Sequence, residues 1–128
     1  ALTGEDFDTM YLALTKKYYG HDENICIVDD NVKSEWSYIP HFYYNFYVYQ
    51  YATSFTASTA LAEKVLNGSA KDKQQYLDFL ASGSTKYPVE LLADAGVAMD
   101  TSAPFDLTIA KINKVMAEME AILTRMGK

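Results

Sequence analysis

Residues 40–55 have the sequence PHFYYNFYVYQYATSF, and this stretch decides the fold that the sequence predicts. Its first residue is a proline, which favours the first turn of a helix. Further along the chain, Gly68 is a typical residue at a helix end. Eight of the fourteen residues from 42 to 55 are aromatic. A helix that is apolar around its whole circumference is expected to be surrounded by other elements. The sequence therefore predicts one long central helix over residues 40–66, with Phe46 packed in the core.

Four tyrosines would share one broad face of this helix, because successive residues are rotated by about 100°. The face would contain Tyr43, Tyr44, Tyr47 and Tyr51, with His41 at its edge and Tyr49 on the other side. A phenol buried without a partner is destabilising by roughly 1–3 kcal/mol. These hydroxyls therefore either bond to nearby backbone within a core or reach a ligand. His41 is either a cap or a neutral donor, since the positive end of a helix disfavours imidazolium.

The rest of the chain also has helical periodicity. Apolar residues repeat at helical spacing over residues 4–19, and Thr3 and Gly20 are suited to cap that segment. Further helices are predicted over residues 31–38 with Trp36 as an anchor, 71–82, 88–95 and 104–126. Residues 21–30 form an irregular connection in which 25–28 could be a short strand. The prediction is an all-α bundle of five or six helices.

Composition excludes several classes of function. The 128 residues carry a net charge of -6, which does not suit the phosphates of nucleic acid or an anionic membrane surface. The apolar run is shorter than the ~20 residues a bilayer requires and contains Asn45 and Gln50. Cys26 is the single cysteine, so no internal disulfide forms, which suits a reducing cytoplasm.

Three stretches of the chain resemble one family of enzymes. Residues 36–54, WSYIPHFYYNFYVYQYATS, are similar to the segment that follows the zinc motif in the oligoendopeptidase F family. Residues 80–97 and 12–20 are similar to that family too. The resemblance implies that residues 1–128 are a C-terminal helical domain, a fragment of a larger and mostly helical metallopeptidase.

The resemblance also implies an activity, that of a cytoplasmic zinc endopeptidase that cleaves short peptides. A His-Glu-x-x-His helix supplies two zinc ligands and the general base in that family. The histidines here are His21 and His41, and neither lies in such a motif. We therefore expect that this fragment binds no zinc and is inactive alone.

The expected site residues follow from the resemblance together with their positions around the predicted long helix. His41, Tyr44, Tyr47 and Tyr51 are the expected donors to the transition state, and Tyr49, Gly83 and Ser84 the expected substrate contacts. Because the tyrosine face would be uncovered in the fragment, we also expect it to self-associate. Two other classes stay open from the sequence, a helical ligand-binding module and a purely structural helical domain.

Overall fold

The computed structural model describes residues 1–127, and within them the chain is all-α, as predicted. It divides into two compact units, Ala1–Val48 and the residues from Tyr49 onward. The α-helices are α1 (Gly4–Tyr19), α2 (Tyr49–Asn67), α3 (Ala70–Ser82), α4 (Pro88–Asp94) and α5 (Ala103–Arg125). Two 3-10 segments, Asp30–Tyr38 and Pro40–Tyr43, lie between α1 and α2.

The caps of α1 confirm its predicted bounds. Thr3 accepts a hydrogen bond from the backbone N–H of Asp6, and the Asp6 carboxylate accepts one from the N–H of Thr3. Gly20 ends the helix in the left-handed conformation, with φ 66°. A Cβ there would also lie 2.8 Å from the Ile25 side chain, so glycine is required by both backbone and space.

Residues 21–29 form an irregular connection, and the strand considered for residues 25–28 is absent from the described structure. Val28 is buried, and its N–H donates to Nδ1 of His21 at 3.0 Å. Cys26 is exposed. The backbone of this connection is thus held by a side chain rather than by strand pairing.

Trp36 anchors the first 3-10 segment on α1, as predicted. Its ring lies 5.0 Å from that of Phe7, and its indole N–H donates to the Asp8 carboxylate at 2.7 Å. Lys16 and Asp30 add an ion pair of 2.8 Å between the same two elements. Aromatic packing and polar contacts together therefore fix this segment against α1.

The long helix predicted from residue 40 is wrong over residues 40–48. Tyr44 is extended, with φ -103° and ψ 115°, and Phe46 is left-handed, with φ 58°. Tyr, Phe and Val are weaker helix formers than Ala or Leu, and most side chains of this stretch are exposed, so burial of a helix face does little to offset that preference. Phe46 is 82% exposed, which also overturns its predicted place in the core. The shared helix face predicted for the tyrosines therefore does not exist over residues 41–48.

The second unit contains a small apolar core. The core is formed by Ala60, Leu61, Ala95 and Val97, against which Tyr76, Phe79, Leu92 and Met99 pack. Val97 is only 2% exposed. Lys64 pairs with Asp72 between α2 and α3, and Lys111 pairs with Glu63 between α5 and α2. The core thus joins α2 to the segments that follow α3, and ion pairs reinforce the contacts at its margin.

We expect Leu61→Ala to lower the free energy of unfolding by about 2–4 kcal/mol, because it removes packed apolar volume. Leu66→Ala is the matched control, since the Leu66 side chain on the same helix is 72% exposed and Leu61 is 8% exposed. The control should change the free energy by less than about 0.5 kcal/mol. Urea denaturation followed by circular dichroism measures both, and equal effects would contradict the assigned core.

The helix α5 keeps a stripe of apolar side chains exposed along its length. Each member is at least about two-fifths exposed: Ile109, Ile112, Val115, Met116, Met119, Ile122 and Leu123. A monomer rarely exposes so continuous an apolar surface. This stripe adds to the exposed aromatic residues of the 40–55 stretch as a reason for the chain to associate.

We therefore predict that the isolated chain forms dimers or larger species, whose mass light scattering would measure over a concentration series. Met116→Glu places a charge on the stripe and should shift the mass toward the monomer. Ala117→Glu makes the same charge change on the opposite side of α5 and should shift the mass less. A monomer mass at every concentration for the unmodified chain would contradict the prediction.

Candidate functional site

Three of the predicted site residues lie together in residues 40–48. The rings of His41 and Tyr47 are stacked, with centroids 5.4 Å apart and planes inclined by 19°. The Tyr44 ring lies 6.0 Å from the Tyr47 ring, tilted by 60°. His41 is partly buried, whereas Tyr47 is 40% exposed and Tyr44 is more exposed still. The aromatic loop, as we call residues 40–48, thus presents an imidazole and two phenols side by side.

The backbone of the aromatic loop follows from its proline. Ile39 is extended, as a residue before proline must be, and Pro40 begins the short 3-10 segment that carries His41. That segment ends where the N–H of Tyr44 donates to the carbonyl of His41 at 3.4 Å. The Tyr43 hydroxyl donates to the carbonyl of Ser37 at 2.8 Å, which ties the loop to the preceding segment.

The left-handed turn at Phe46 allows Tyr47 to fold back onto His41. A bulky aromatic residue with positive φ is rare, because its Cβ is crowded by the backbone. Strained backbone of this kind is concentrated at sites where function requires a particular geometry. The stacked pair is therefore a product of the turn and not of a shared helix face, which was the predicted arrangement.

The location of His41 changes one argument made from the sequence. His41 lies in a 3-10 segment of four residues, so the argument from the dipole of a long helix does not apply to it. A neutral imidazole and phenol hydroxyls remain suitable donors to an oxygen that gains negative charge.

The other predicted residues lie in the second unit. Tyr49 and Tyr51 are in the first turn of α2, both more than half exposed. Two residues apart on a helix, their side chains diverge by about 200°. Gly83 follows α3 with φ 56° and ψ -138°, and a Cβ there would meet nothing within 4 Å, so its backbone conformation is what favours glycine. Ser84 lies in the exposed turn after it.

Glu35 forms a contact that the sequence analysis did not find. One of its carboxylate oxygens accepts from the Tyr11 hydroxyl and the other from the Tyr38 hydroxyl, each at 3.0 Å. Burial and the Glu35 carboxylate raise the pKa of Tyr11 above 10.0. The hydrogen bond to Glu35, followed by burial, raises the pKa of Tyr38. The sequence signal was a phenol among the periodic apolar residues of α1, since a partly buried hydroxyl usually has an acceptor. That apolar face is largely exposed, and no residue of α1 is fully buried.

The chain belongs to peptidase family M3, whose model matches residues 1–111. It is 42% identical over 125 residues to the plasmid-encoded oligoendopeptidase F of Lactococcus lactis subsp. cremoris, covering 97% of this chain and 20% of that relative. It is 39% identical over 125 residues to the oligopeptidase PepF of Bacillus subtilis strain 168, covering 98% of this chain and 18% of that relative. The family resemblance seen in the sequence is thereby confirmed.

The chain spans about a fifth of the length of the curated relatives that it matches. Another of these, the group B oligopeptidase PepB of Streptococcus agalactiae serotype III strain NEM316, is 39% identical over 126 residues, covering 97% of this chain and 20% of the relative. No solved structure matches the chain.

The zinc that the resemblance implies does not fit the residues present. Among residues 1–127, no group of three or more His, Cys, Asp or Glu side chains is placed to hold a metal ion. A zinc site of the catalytic kind requires three protein ligands. A separate observation concerns membranes: none of the helices in the described part of the chain is long and apolar enough to cross one.

We predict that the Tyr11–Glu35 contact weakens at alkaline pH. A pKa raised by folding means that the contact stabilises fully below the unfolded value of about 10, and that this stability is lost as pH rises through the folded pKa. Tyr11→Phe should therefore show a smaller alkaline loss of stability than the unmodified chain. Urea denaturation between about pH 8 and 11 would measure it. Tyr18→Phe, which changes an exposed phenol of the same helix, should retain the full loss, and identical pH profiles for the three proteins would contradict the assignment.

Proposed function

We propose that this chain is part of a zinc-dependent oligoendopeptidase that hydrolyses short peptides in the cytoplasm. The family and the names of the relatives support a peptidase. The observation that carries the role of this chain is the aromatic loop, in which the His41 and Tyr47 rings are stacked and Tyr44 adjoins them. A purely structural role would require other parts of the protein to bury Tyr44, Tyr49 and Tyr51, because each is more than half exposed within this chain.

The role follows from the chemistry of peptide hydrolysis. When a nucleophile attacks a peptide carbonyl, negative charge develops on its oxygen, and neutral donors already aimed at that oxygen stabilise the transition state. His41, Tyr44 and Tyr47 can supply an N–H and two O–H donors from adjacent positions. We assign Tyr51 as a fourth donor, on the strength of the resemblance.

Substrate binding is the second part of the proposal. The exposed phenol of Tyr49 offers a flat apolar ring and a hydroxyl to a peptide. The open backbone at Gly83 and Ser84 leaves room for an extended substrate to approach main-chain groups. Residues outside this chain would hold the zinc, and we therefore expect the chain alone to be inactive.

We predict that removing one donor lowers kcat of the full-length enzyme by about 10²–10³-fold with little change in KM, because the lost bond is made mainly in the transition state. The variants are Tyr44→Phe, Tyr47→Phe, Tyr51→Phe and His41→Ala, assayed on a quenched fluorescent peptide. Each tyrosine change removes only a hydroxyl, so folding and zinc binding should persist, which thermal denaturation and metal analysis would check.

Tyr87→Phe is the matched control, since it removes an exposed hydroxyl from a tyrosine that is not assigned to the site. The isolated chain, assayed beside the enzyme with its zinc measured, should give no cleavage. If all four site variants keep kcat within a few-fold, the aromatic loop and α2 do not stabilise the transition state. Chelator-sensitive cleavage by the isolated chain with bound zinc would contradict its expected inactivity.

A further inference from the structure

Two carboxylates on the contact between α1 and the first 3-10 segment each receive two side-chain donors. Asp8 accepts from the indole N–H of Trp36 at 2.7 Å and from the Ser34 hydroxyl at 2.9 Å. Glu35 accepts from Tyr11 and Tyr38, one on each oxygen. Three of these four bonds join α1 to the 3-10 segment, while the bond from Tyr38 to Glu35 lies within the segment. Side-chain hydrogen bonds more often go to backbone or water than to other side chains, so three of them between two elements are unusual. They fix the 3-10 segment in one orientation on α1.

The arrangement at Glu35 suits a carboxylate better than an amide. An ionised carboxylate accepts on both oxygens, whereas an amide of the same shape has one accepting atom and one donating atom. A glutamine at position 35 could therefore accept from one phenol only, and the other hydroxyl would have to turn away or rotate to accept. Tyr11 is the more consequential partner, because it is partly buried while Tyr38 is exposed.

Tyr11 connects this carboxylate to the aromatic loop. Its ring meets that of Phe42 edge to face, with centroids 6.2 Å apart and planes inclined by 75°. Phe42 is the neighbour of His41 in the chain, and its N–H donates to the carbonyl of Ile39 at 3.2 Å within the same turn. A shift of the Tyr11 ring would thus be transmitted through Phe42 to the backbone that carries His41.

We propose that Glu35 is a positioning residue for His41 and Tyr47, acting through the Tyr11 hydroxyl and the contact of the Tyr11 and Phe42 rings. The proposal rests on the proposed function of the aromatic loop. Glu35 itself touches no substrate, and its effect is to hold the donor pair at the geometry that peptide hydrolysis requires. Small displacements of groups around a reacting centre lower rates strongly, by as much as about 100-fold for a shift near 1 Å.

The experiment is a double-mutant cycle in the full-length enzyme, with kcat, KM and thermal stability measured for Glu35→Gln, His41→Ala and the double variant. Glu35→Gln should lower kcat about 10–100-fold with KM little changed. The double variant should be no slower than His41→Ala alone, because Glu35 acts on the rate through His41. Glu23→Gln makes the same chemical change at an exposed site and should leave kcat unchanged.

Two further variants protect the test if Glu35→Gln fails to fold. Tyr11→Phe keeps the ring against Phe42 and removes only the bond to Glu35, so it should reproduce the loss of kcat. Tyr38→Phe should lower kcat less. Losses that multiply in the double variant, or equal effects of Tyr11→Phe and Tyr38→Phe, would overturn the proposal while leaving the proposed function standing. An unchanged kcat in His41→Ala would overturn this inference, whereas the proposed function is overturned only if the three tyrosine variants also keep kcat within a few-fold.

Discussion

The hydrogen bond from the Trp36 indole N–H to the Asp8 carboxylate is the interaction on which the first unit depends. That unit contains little fully buried apolar surface, with Val28 its one buried large apolar side chain within the described residues. A partly buried indole is tolerated only when its N–H has an acceptor, and a charged acceptor strengthens the bond. Once Trp36 is fixed against Phe7, the first 3-10 segment is held on α1, and the orientation of the second segment, Pro40–Tyr43, is restricted. The position of the aromatic loop within the first unit is therefore determined by a polar contact rather than by a large core.

The aromatic loop shows that a run of aromatic residues can form an exposed turn as well as a buried helix. Tyr and Phe side chains would suit a central helix, but residues 44–48 form an exposed turn with Phe46 left-handed. The same break that removes helical hydrogen bonds brings Tyr47 back onto His41. Residues 44–48 leave their aromatic rings exposed within this chain, which the proposed contact with a peptide substrate would require.

The sequence predicted the fold wherever a local signal determined the outcome. The capping box at Thr3 and the glycine at position 20 defined both ends of α1, because caps act within a few residues. The all-α class and the family were also accessible. The start of α2 at Tyr49 could not be predicted, because a run of aromatic residues has the same sequence pattern whether it forms a helix or a turn. The contact of Glu35 with Tyr11 was missed because the two residues lie on different elements, 24 residues apart, and no spacing along the chain reveals such a contact.

Trp36 is the single tryptophan of the chain, and its place in the first unit has a spectroscopic consequence. Its fluorescence, excited apart from that of the tyrosines, reports on the packing of α1 and the 3-10 segments alone. Circular dichroism, in contrast, is dominated by the longer helices of the second unit. The two signals coincide in a denaturation experiment only if the units unfold together. The fluorescence of one indole side chain, compared with circular dichroism, thus tests whether the two units unfold cooperatively.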